Sequence, residues 1–223
     1  FPSQPVLSTP DEYAPKLHLF EEFVKGQMEK DKIPGLTIGF TKDKYTWVKG
    51  FGYADLENKV PASAGSVYRL ASVAKTFTGT AIVQLVERGK IKLDEEIQTY
   101  VPYYPKQQWP VTVRQLLVHL GGGQSGSGVG PEYVSPREVV ARIAKYPIKN
   151  EPGVKFEYTT SGYNLLGAAI EEVSGKTFGE YLRENIFVPL GMKDTRIDNA
   201  KDSVPNRVQR YELVNGEFKI APP

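Results

Sequence analysis

The pattern of apolar and polar residues predicts helices along most of the chain, with strands confined to its early and late parts. A first helix opens at Thr9-Pro10-Asp11-Glu12, where a capping threonine precedes a proline suited to the first turn. Its apolar residues recur at helical spacing and predict one buried stripe, made of Leu17, Phe20, Phe23, Val24 and Met28. The segments 36–40 and 45–51 then predict two paired strands joined near residues 42–44.

Helices dominate after residue 70, and a hairpin follows them. The predicted helices run from Ser72 to Arg88, from Thr112 onward, over Ser135 to Lys145, after a cap at Ser161, and after a capping box at Thr177 and Glu180. Asn215-Gly216, in the middle of residues 211–220, is typical of a tight β-hairpin. Two early strands, many helices and a late hairpin indicate the α+β class, because no regular alternation of strand and helix is present.

Residues 121–130 interrupt this pattern. Six of these ten residues are glycine and two are serine, a composition typical of a flexible linker. The alternation of glycine and serine favours an engineered linker, and the alternative is a natural mobile loop. We expect a single domain over residues 1–223, with an N-terminal helix and first strands (1–71), a mainly helical region (72–200) and a hairpin tail (201–223).

Composition narrows the classes of function. The 223 residues carry a net charge of +2, which gives no electrostatic reason to expect a nucleic-acid partner. The chain has no cysteine, and its two histidines, His18 and His119, are far apart in sequence. The sequence therefore offers few residues for a zinc site or a Ser-His-Asp triad. His119 is predicted to cap or pack against a helix end. No apolar run approaches the length of a membrane-spanning helix.

Ser72 and Lys75 are the first candidates for chemistry. A serine at the start of a helix lies near unpaired N–H groups, and a lysine three residues later lies on the same face. A lysine in a dry site loses affinity for its proton and can accept one from the serine hydroxyl, which makes a nucleophile without histidine. The pattern S-x-x-K is short, and the alternative is an ordinary capping serine with an exposed lysine.

Tyr158 is the second candidate, ahead of the helix predicted after Ser161. An ammonium group draws a nearby phenol toward its anionic form, which can exchange protons with a nucleophile or a leaving group. The alternative is a tyrosine at the edge of the core.

Further segments accompany these residues in a consistent order. They are Tyr68 to Lys75, Leu116-Leu117-Val118-His119-Leu120-Gly121-Gly122, Pro152 to Tyr158, Gly162-Tyr163-Asn164-Leu165-Leu166-Gly167, and Phe187-Val188-Pro189-Leu190-Gly191-Met192. In this order the stretch from about Ile33 to Thr195 resembles the serine β-lactamase-like and penicillin-binding family. That family includes class C β-lactamases, D-alanyl-D-alanine carboxypeptidases, related esterases and the mitochondrial β-lactamase-like protein.

The resemblance implies a fold and a reaction. The fold would be an antiparallel sheet flanked by helices, with a helical subdomain. Ser72 would be the acylated nucleophile, Lys75 its base partner and Tyr158 a second proton-transfer residue. The partner would be a small-molecule or peptide acyl substrate, with no metal, no organic cofactor and no nucleic acid. Because bacterial members are mostly exported, we expect a periplasmic or extracellular protein.

The chain also departs from the family's pattern. Thr160 stands where the family has an asparagine that contacts a substrate carbonyl, so an esterase or peptidase is favoured over a strong β-lactamase. The family's late Lys/His-Thr/Ser-Gly motif is missing, and with it the neighbouring strand that supplies one oxyanion-hole N–H. We therefore expect the N-terminal two-thirds of a family member, with an incomplete sheet that a complementing chain or another copy would extend. The alternatives are a non-catalytic assembly protein and a penicillin-binding protein with slow turnover.

Overall fold

The structure, a computed structural model, describes residues 13–43, 45–123, 134–199 and 201–221. The predicted cap at Thr9–Glu12 lies outside these residues. The contacts divide the chain into two compact units. We call Phe1–Arg69 with Asp202–Pro223 the strand unit, and Leu70–Lys201 the helical unit.

The described part of the strand unit contains one helix and two antiparallel sheets. Its elements are α1 (Ala14–Asp31), β1 (Gly35–Lys42), β2 (Tyr45–Asp55), β3 (Val60–Pro61), β4 (Tyr211–Val214) and β5 (Glu217–Ile220). The first sheet has the order β1-β2-β3, and β4 pairs with β5 in the second. Among the described residues β1 has a paired strand on one side only, so its outer edge is open.

Helix α1 covers the first sheet with a narrower stripe than the sequence predicts. Leu17, Val24 and Met28 are buried, and Val24 and Met28 pack with Phe51 of β2. The predicted stripe is wrong at Phe23, which is 64% exposed, and at Phe20, which is also exposed. Periodicity assigns Phe23 to the apolar face of the helix, but the described sheet covers only the side that carries Val24 and Met28.

The predicted hairpin is confirmed, and it is tied to the early strands of the strand unit. Asn215 and Gly216 both have positive φ angles, 53° and 83°, as a two-residue turn between twisted strands requires. Just before β4, Gln209 N–H donates to the carbonyl of Ala54 at 2.9 Å. The Tyr211 hydroxyl accepts from the Leu56 N–H at 2.8 Å. These two hydrogen bonds hold residues 54–56 against residues 209–211.

The helical unit packs short helices around one long helix. Its elements are a 3₁₀ turn (Ala71–Ala74), α2 (Lys75–Glu87), a second 3₁₀ turn (Ile97–Thr99), α3 (Val113–Leu117), α4 (Pro136–Ile143), α5 (Thr160–Ser174), α6 (Phe178–Leu182) and a π-helical turn (Arg183–Phe187). Helix α5 contacts α2, α3, α4 and α6, and its middle residues from Leu165 to Ile170 are buried. None of the helices in the described residues is both long and apolar enough to span a membrane.

Replacing Leu166 by alanine should destabilise the helical unit strongly. Leu166 is fully buried in α5, and removing a buried leucine side chain costs about 2–5 kcal/mol in transfer and cavity terms. Urea unfolding followed by circular dichroism measures the loss. Leu190→Ala is the matched control, because Leu190 is 65% exposed. Equal effects of the two substitutions would contradict the assigned core.

Local capping explains where several of these helices begin. Thr112, Ser135 and Thr177 each accept a hydrogen bond from the backbone three residues on, and each closes a capping box. The predicted cap at Ser161 is wrong. Thr159 is the N-cap of α5, and Ser161 is buried inside the first turn. A run of three hydroxyl residues gives no local means of choosing among them.

The glycine-rich segment begins as ordered structure. Gly122 and Gly123 are buried, and the Gly122 carbonyl accepts from the N–H groups of Lys149 (2.8 Å) and Asn150 (3.1 Å). Gly122 has φ +85°, and a side chain there would lie only 2.5 Å from the Asn150 carbonyl oxygen. The flexible-linker interpretation is therefore wrong for residues 121–123, and residues 124–130 lie outside the described residues.

Candidate active site

Ser72 lies in the 3₁₀ turn that leads directly into α2. Ala71, the residue before it, has φ +47°, a left-handed conformation that costs a residue with a side chain roughly 1–2 kcal/mol. Strained backbone of this kind is concentrated at functional sites. The turn leaves Ser72 exposed at the surface of the helical unit.

Lys75 is the first residue of α2 and reaches back to the serine. Its Nζ donates to the Ser72 Oγ at 3.4 Å. Lys75 as a whole is half-buried. The S-x-x-K spacing thus places the Lys75 amine within hydrogen-bonding distance of the Ser72 hydroxyl.

Tyr158 brings a phenol to the same amine from the segment before α5. The Lys75 Nζ lies 4.8 Å from the centre of the Tyr158 ring. Hydrogen bonding to Lys75, and secondly to Ser72, lowers the pKa of the Tyr158 phenol below its ordinary value of 10.0. The Lys75 amine therefore contacts both the Ser72 hydroxyl and the Tyr158 ring.

His119 and Tyr163 form the wall behind this group. The His119 ring lies against Tyr158, with 4.3 Å between ring centres, and against Tyr163 at 5.1 Å. The Tyr163 hydroxyl donates to the Leu117 carbonyl at 2.9 Å, and its ring centre lies 5.6 Å from the Lys75 Nζ. The sequence predicts only capping or packing for His119, and its contact with Tyr158 has no local sequence signal.

Thr160 is not joined by hydrogen bonds to Ser72, Lys75 and Tyr158 in the described part of the chain. It is the first residue of α5 and is exposed. The structure thus brings together three of the four residues named from the sequence. Among the described residues no cluster of histidine, aspartate and glutamate could hold a metal ion.

Several known proteins resemble this chain in both sequence and fold. The beta-lactamase family model matches residues 20–223. The putative penicillin-binding protein PbpX of Bacillus subtilis is 35% identical over 174 residues, which are 78% of this chain and 44% of PbpX. The octameric penicillin-binding protein homologue from Pyrococcus abyssi is 32% identical with a TM-score of 0.79, over 92% of this chain and 50% of that one.

A third similar protein has a named substrate class. The D-amino acid amidase of Ochrobactrum anthropi is 28% identical with a TM-score of 0.76, over 90% of this chain and 61% of the amidase. The chain spans less than half the length of the curated relatives it matches.

Proposed function

The chain belongs to the beta-lactamase family of serine hydrolases, and from this premise we propose that it transfers acyl groups through Ser72, with Lys75 and Tyr158 as proton carriers. The observation that supports this most directly is the 3.4 Å hydrogen bond from Lys75 Nζ to Ser72 Oγ. A hydroxyl held by an amine that also binds a phenol has a route for its proton.

The proposed reaction has two steps. The Ser72 Oγ bonds to the carbonyl carbon of the substrate, and its proton passes to the Lys75–Tyr158 pair. The pair returns that proton to the leaving group as the bond from the carbonyl carbon to the leaving group breaks. Water then adds to the acyl-serine, releases the acid and restores the Ser72 hydroxyl. The proton is assigned to the pair because the Lys75 amine contacts the Ser72 hydroxyl and also lies against the Tyr158 ring.

Esters and amides are the substrates we propose, ahead of rapid β-lactam hydrolysis. Thr160 stands in place of a carboxamide that would hold a lactam substrate, and its hydroxyl offers fewer hydrogen bonds than an amide. The similar amidase from Ochrobactrum anthropi acts on an amide. The exposure of Ser72 in the helical unit also suits small, accessible acyl donors.

Mass spectrometry tests the nucleophile directly. The protein is mixed with p-nitrophenyl acetate or a fluorescent penicillin, and its intact mass and product release are recorded. Arg69 and Lys75 flank the site, so trypsin yields the peptide Leu70–Lys75, in which Ser72 is the only hydroxyl residue. Acyl mass on that peptide supports the proposal, and acyl mass found only on other peptides would contradict it.

Turnover separates the proposed hydrolase from a slow penicillin-binding protein. A hydrolase shows a transient adduct and steady release of product. A slow binder accumulates one penicillin adduct per chain with little product. Both functions begin with acylation of Ser72, so only the rate of product release separates them.

Tyr158→Phe should slow acylation and remove part of its pH dependence. Because the anionic phenol accepts the proton, the wild-type rate should rise with pH through the pKa of Tyr158, which lies below 10.0. The phenylalanine variant should lack this rise with pH. Its acylation rate should be about 10²–10⁴ times lower than that of the wild type. The measurement is the pH profile of p-nitrophenol release after subtraction of the Ser72→Ala background. Tyr53→Phe, at an exposed tyrosine of the strand unit, is the control, and equal profiles for both variants would contradict the role of Tyr158.

Assembly with other copies is a further proposal. The similar Pyrococcus abyssi protein is octameric. The outer edge of β1, which has no paired strand among the described residues, could accept one. Light scattering during size-exclusion chromatography reports the oligomeric state, and a monomer at all concentrations would count against it.

A further inference from the structure

We propose that His119 is a positioning residue for Tyr158: it holds the peptide groups on both sides of that tyrosine and supports its ring. The inference rests on the proposed function for its kinetic consequence, and on contacts within the helical unit for its structural part.

The backbone of His119 breaks a local preference. The residue follows α3 with φ +59°, at a helix end where glycine or asparagine is usually found. A histidine there costs conformational energy that glycine would avoid. A histidine at a backbone position that suits glycine indicates that contacts of the histidine offset this cost.

Two hydrogen bonds to His119 enclose Tyr158. The His119 carbonyl accepts from the Glu157 N–H at 2.9 Å, and its Nδ1 accepts from the Thr159 N–H at 3.3 Å. One residue therefore binds the residues immediately before and after the tyrosine. With the main chain fixed on both sides, the phenol has few ways to move away from Lys75.

The imidazole also fixes the ring. Its centre lies 4.3 Å from that of Tyr158, and the planes are tilted by 36°. On another side it lies against Tyr163, whose hydroxyl is bound to the Leu117 carbonyl. The imidazole therefore packs between the Tyr158 ring and Tyr163, which is itself hydrogen-bonded to the end of α3.

Acceptance by Nδ1 requires a neutral imidazole with its proton on Nε2. Burial, and secondly the positive charge of Lys75, lowers the pKa of His119 below its ordinary value of 6.5. The titratable groups that face the ring are Lys75, Tyr158 and Tyr163. At neutral pH the ring therefore remains an acceptor.

The test compares His119→Gly, His119→Asn and His18→Asn. Glycine suits the left-handed backbone but removes the acceptor and the ring. Asparagine also tolerates that backbone and places an amide oxygen where Nδ1 lies. His18→Asn is the matched control, because His18 is an exposed residue of α1 in the strand unit.

Two readouts distinguish this inference from the proposed function. The first is the tyrosine ¹³Cζ NMR signal of Tyr158, identified among the 13 tyrosines by its loss in Tyr158→Phe. The second is the rate of Ser72 acylation. We expect His119→Gly to shift the Tyr158 signal, raise its titration midpoint and slow acylation by about 10- to 100-fold. His119→Asn should bring the Tyr158 signal and the acylation rate most of the way back to their wild-type values. His18→Asn should leave the signal and the rate unchanged.

A Tyr158 signal that is the same in wild type, His119→Gly and His119→Asn would overturn the positioning role. If His119→Gly does not fold, an Asn variant that folds but leaves the phenol titrating as an ordinary exposed tyrosine overturns the acceptor role. Absence of acylation in wild type overturns the proposed function, and the NMR signal still decides the role of His119.

Discussion

Replacing Ser72 by alanine is expected to abolish acyl transfer, with a loss of at least about 10³-fold in the acylation rate. Without the Oγ no acyl-serine can form, and the remaining groups offer only background reaction. The measurement is the initial release of p-nitrophenol together with the mass of the Leu70–Lys75 peptide. Ser72 is exposed, so the substitution should leave the unfolding midpoint almost unchanged.

Ser203→Ala provides the control for this prediction, because it removes an exposed hydroxyl from the strand unit. It should acylate at the wild-type rate. If Ser72→Ala hydrolyses the ester as fast as Ser203→Ala does, the reaction does not pass through Ser72, and the proposed function is wrong.

Replacing Lys75 by methionine is expected to cost about 10²–10⁴ in the acylation rate. In the wild-type protein the Lys75 Nζ lies 3.4 Å from the Ser72 Oγ. Methionine fills much of the space of the lysine side chain but has no amine to donate to that oxygen. Because Lys75 is the largest cause of the lowered pKa of Tyr158, that pKa should rise toward 10.0. Ultraviolet difference titration against Tyr158→Phe follows the phenol, and ester hydrolysis follows the rate.

Lys75→Arg separates charge from proton transfer. Arginine keeps a cation beside Tyr158 but does not release its proton in proteins. The phenol should retain a lowered pKa while acylation stays slow. Lys90→Met, at an exposed lysine beyond the end of α2, controls for loss of a positive charge. A Lys75→Arg variant with the full wild-type rate would show that Lys75 acts only through its charge.

Capping motifs and apolar periodicity predict many of the helices and strands. They do not predict which residues of a helix are covered by distant parts of the chain. The capping box at Thr177 involves residues three apart, so the sequence predicts it, and the helix start at Thr112 is confirmed too. The burial of Ser161 and the exposure of Phe23 depend instead on which distant element packs against each helix. Helical periodicity identifies an apolar face but not the width of the surface that covers it.

The candidate site divides in the same way. Ser72 and Lys75 are neighbours on one turn, so a short motif predicts their contact. Tyr158 was named from its chemistry and from a family resemblance, since no local rule joins residues so distant in sequence. The hydrogen bond from the Thr159 N–H to His119 also crosses 40 positions of sequence. Only the packed structure shows it.

The division into two units has a consequence for synthesis of the protein. The helical unit is continuous in sequence, whereas the strand unit needs residues 202–221 to join residues 13–69. At the usual speed of translation the ribosome takes on the order of 10 s to make the intervening residues. Throughout that time β1 and β2 exist without the hairpin that bonds to residues 54–56. Newly made chains should therefore be most open to misassembly and chaperone binding at the strand unit, after its first part has left the ribosome and before its last has been made.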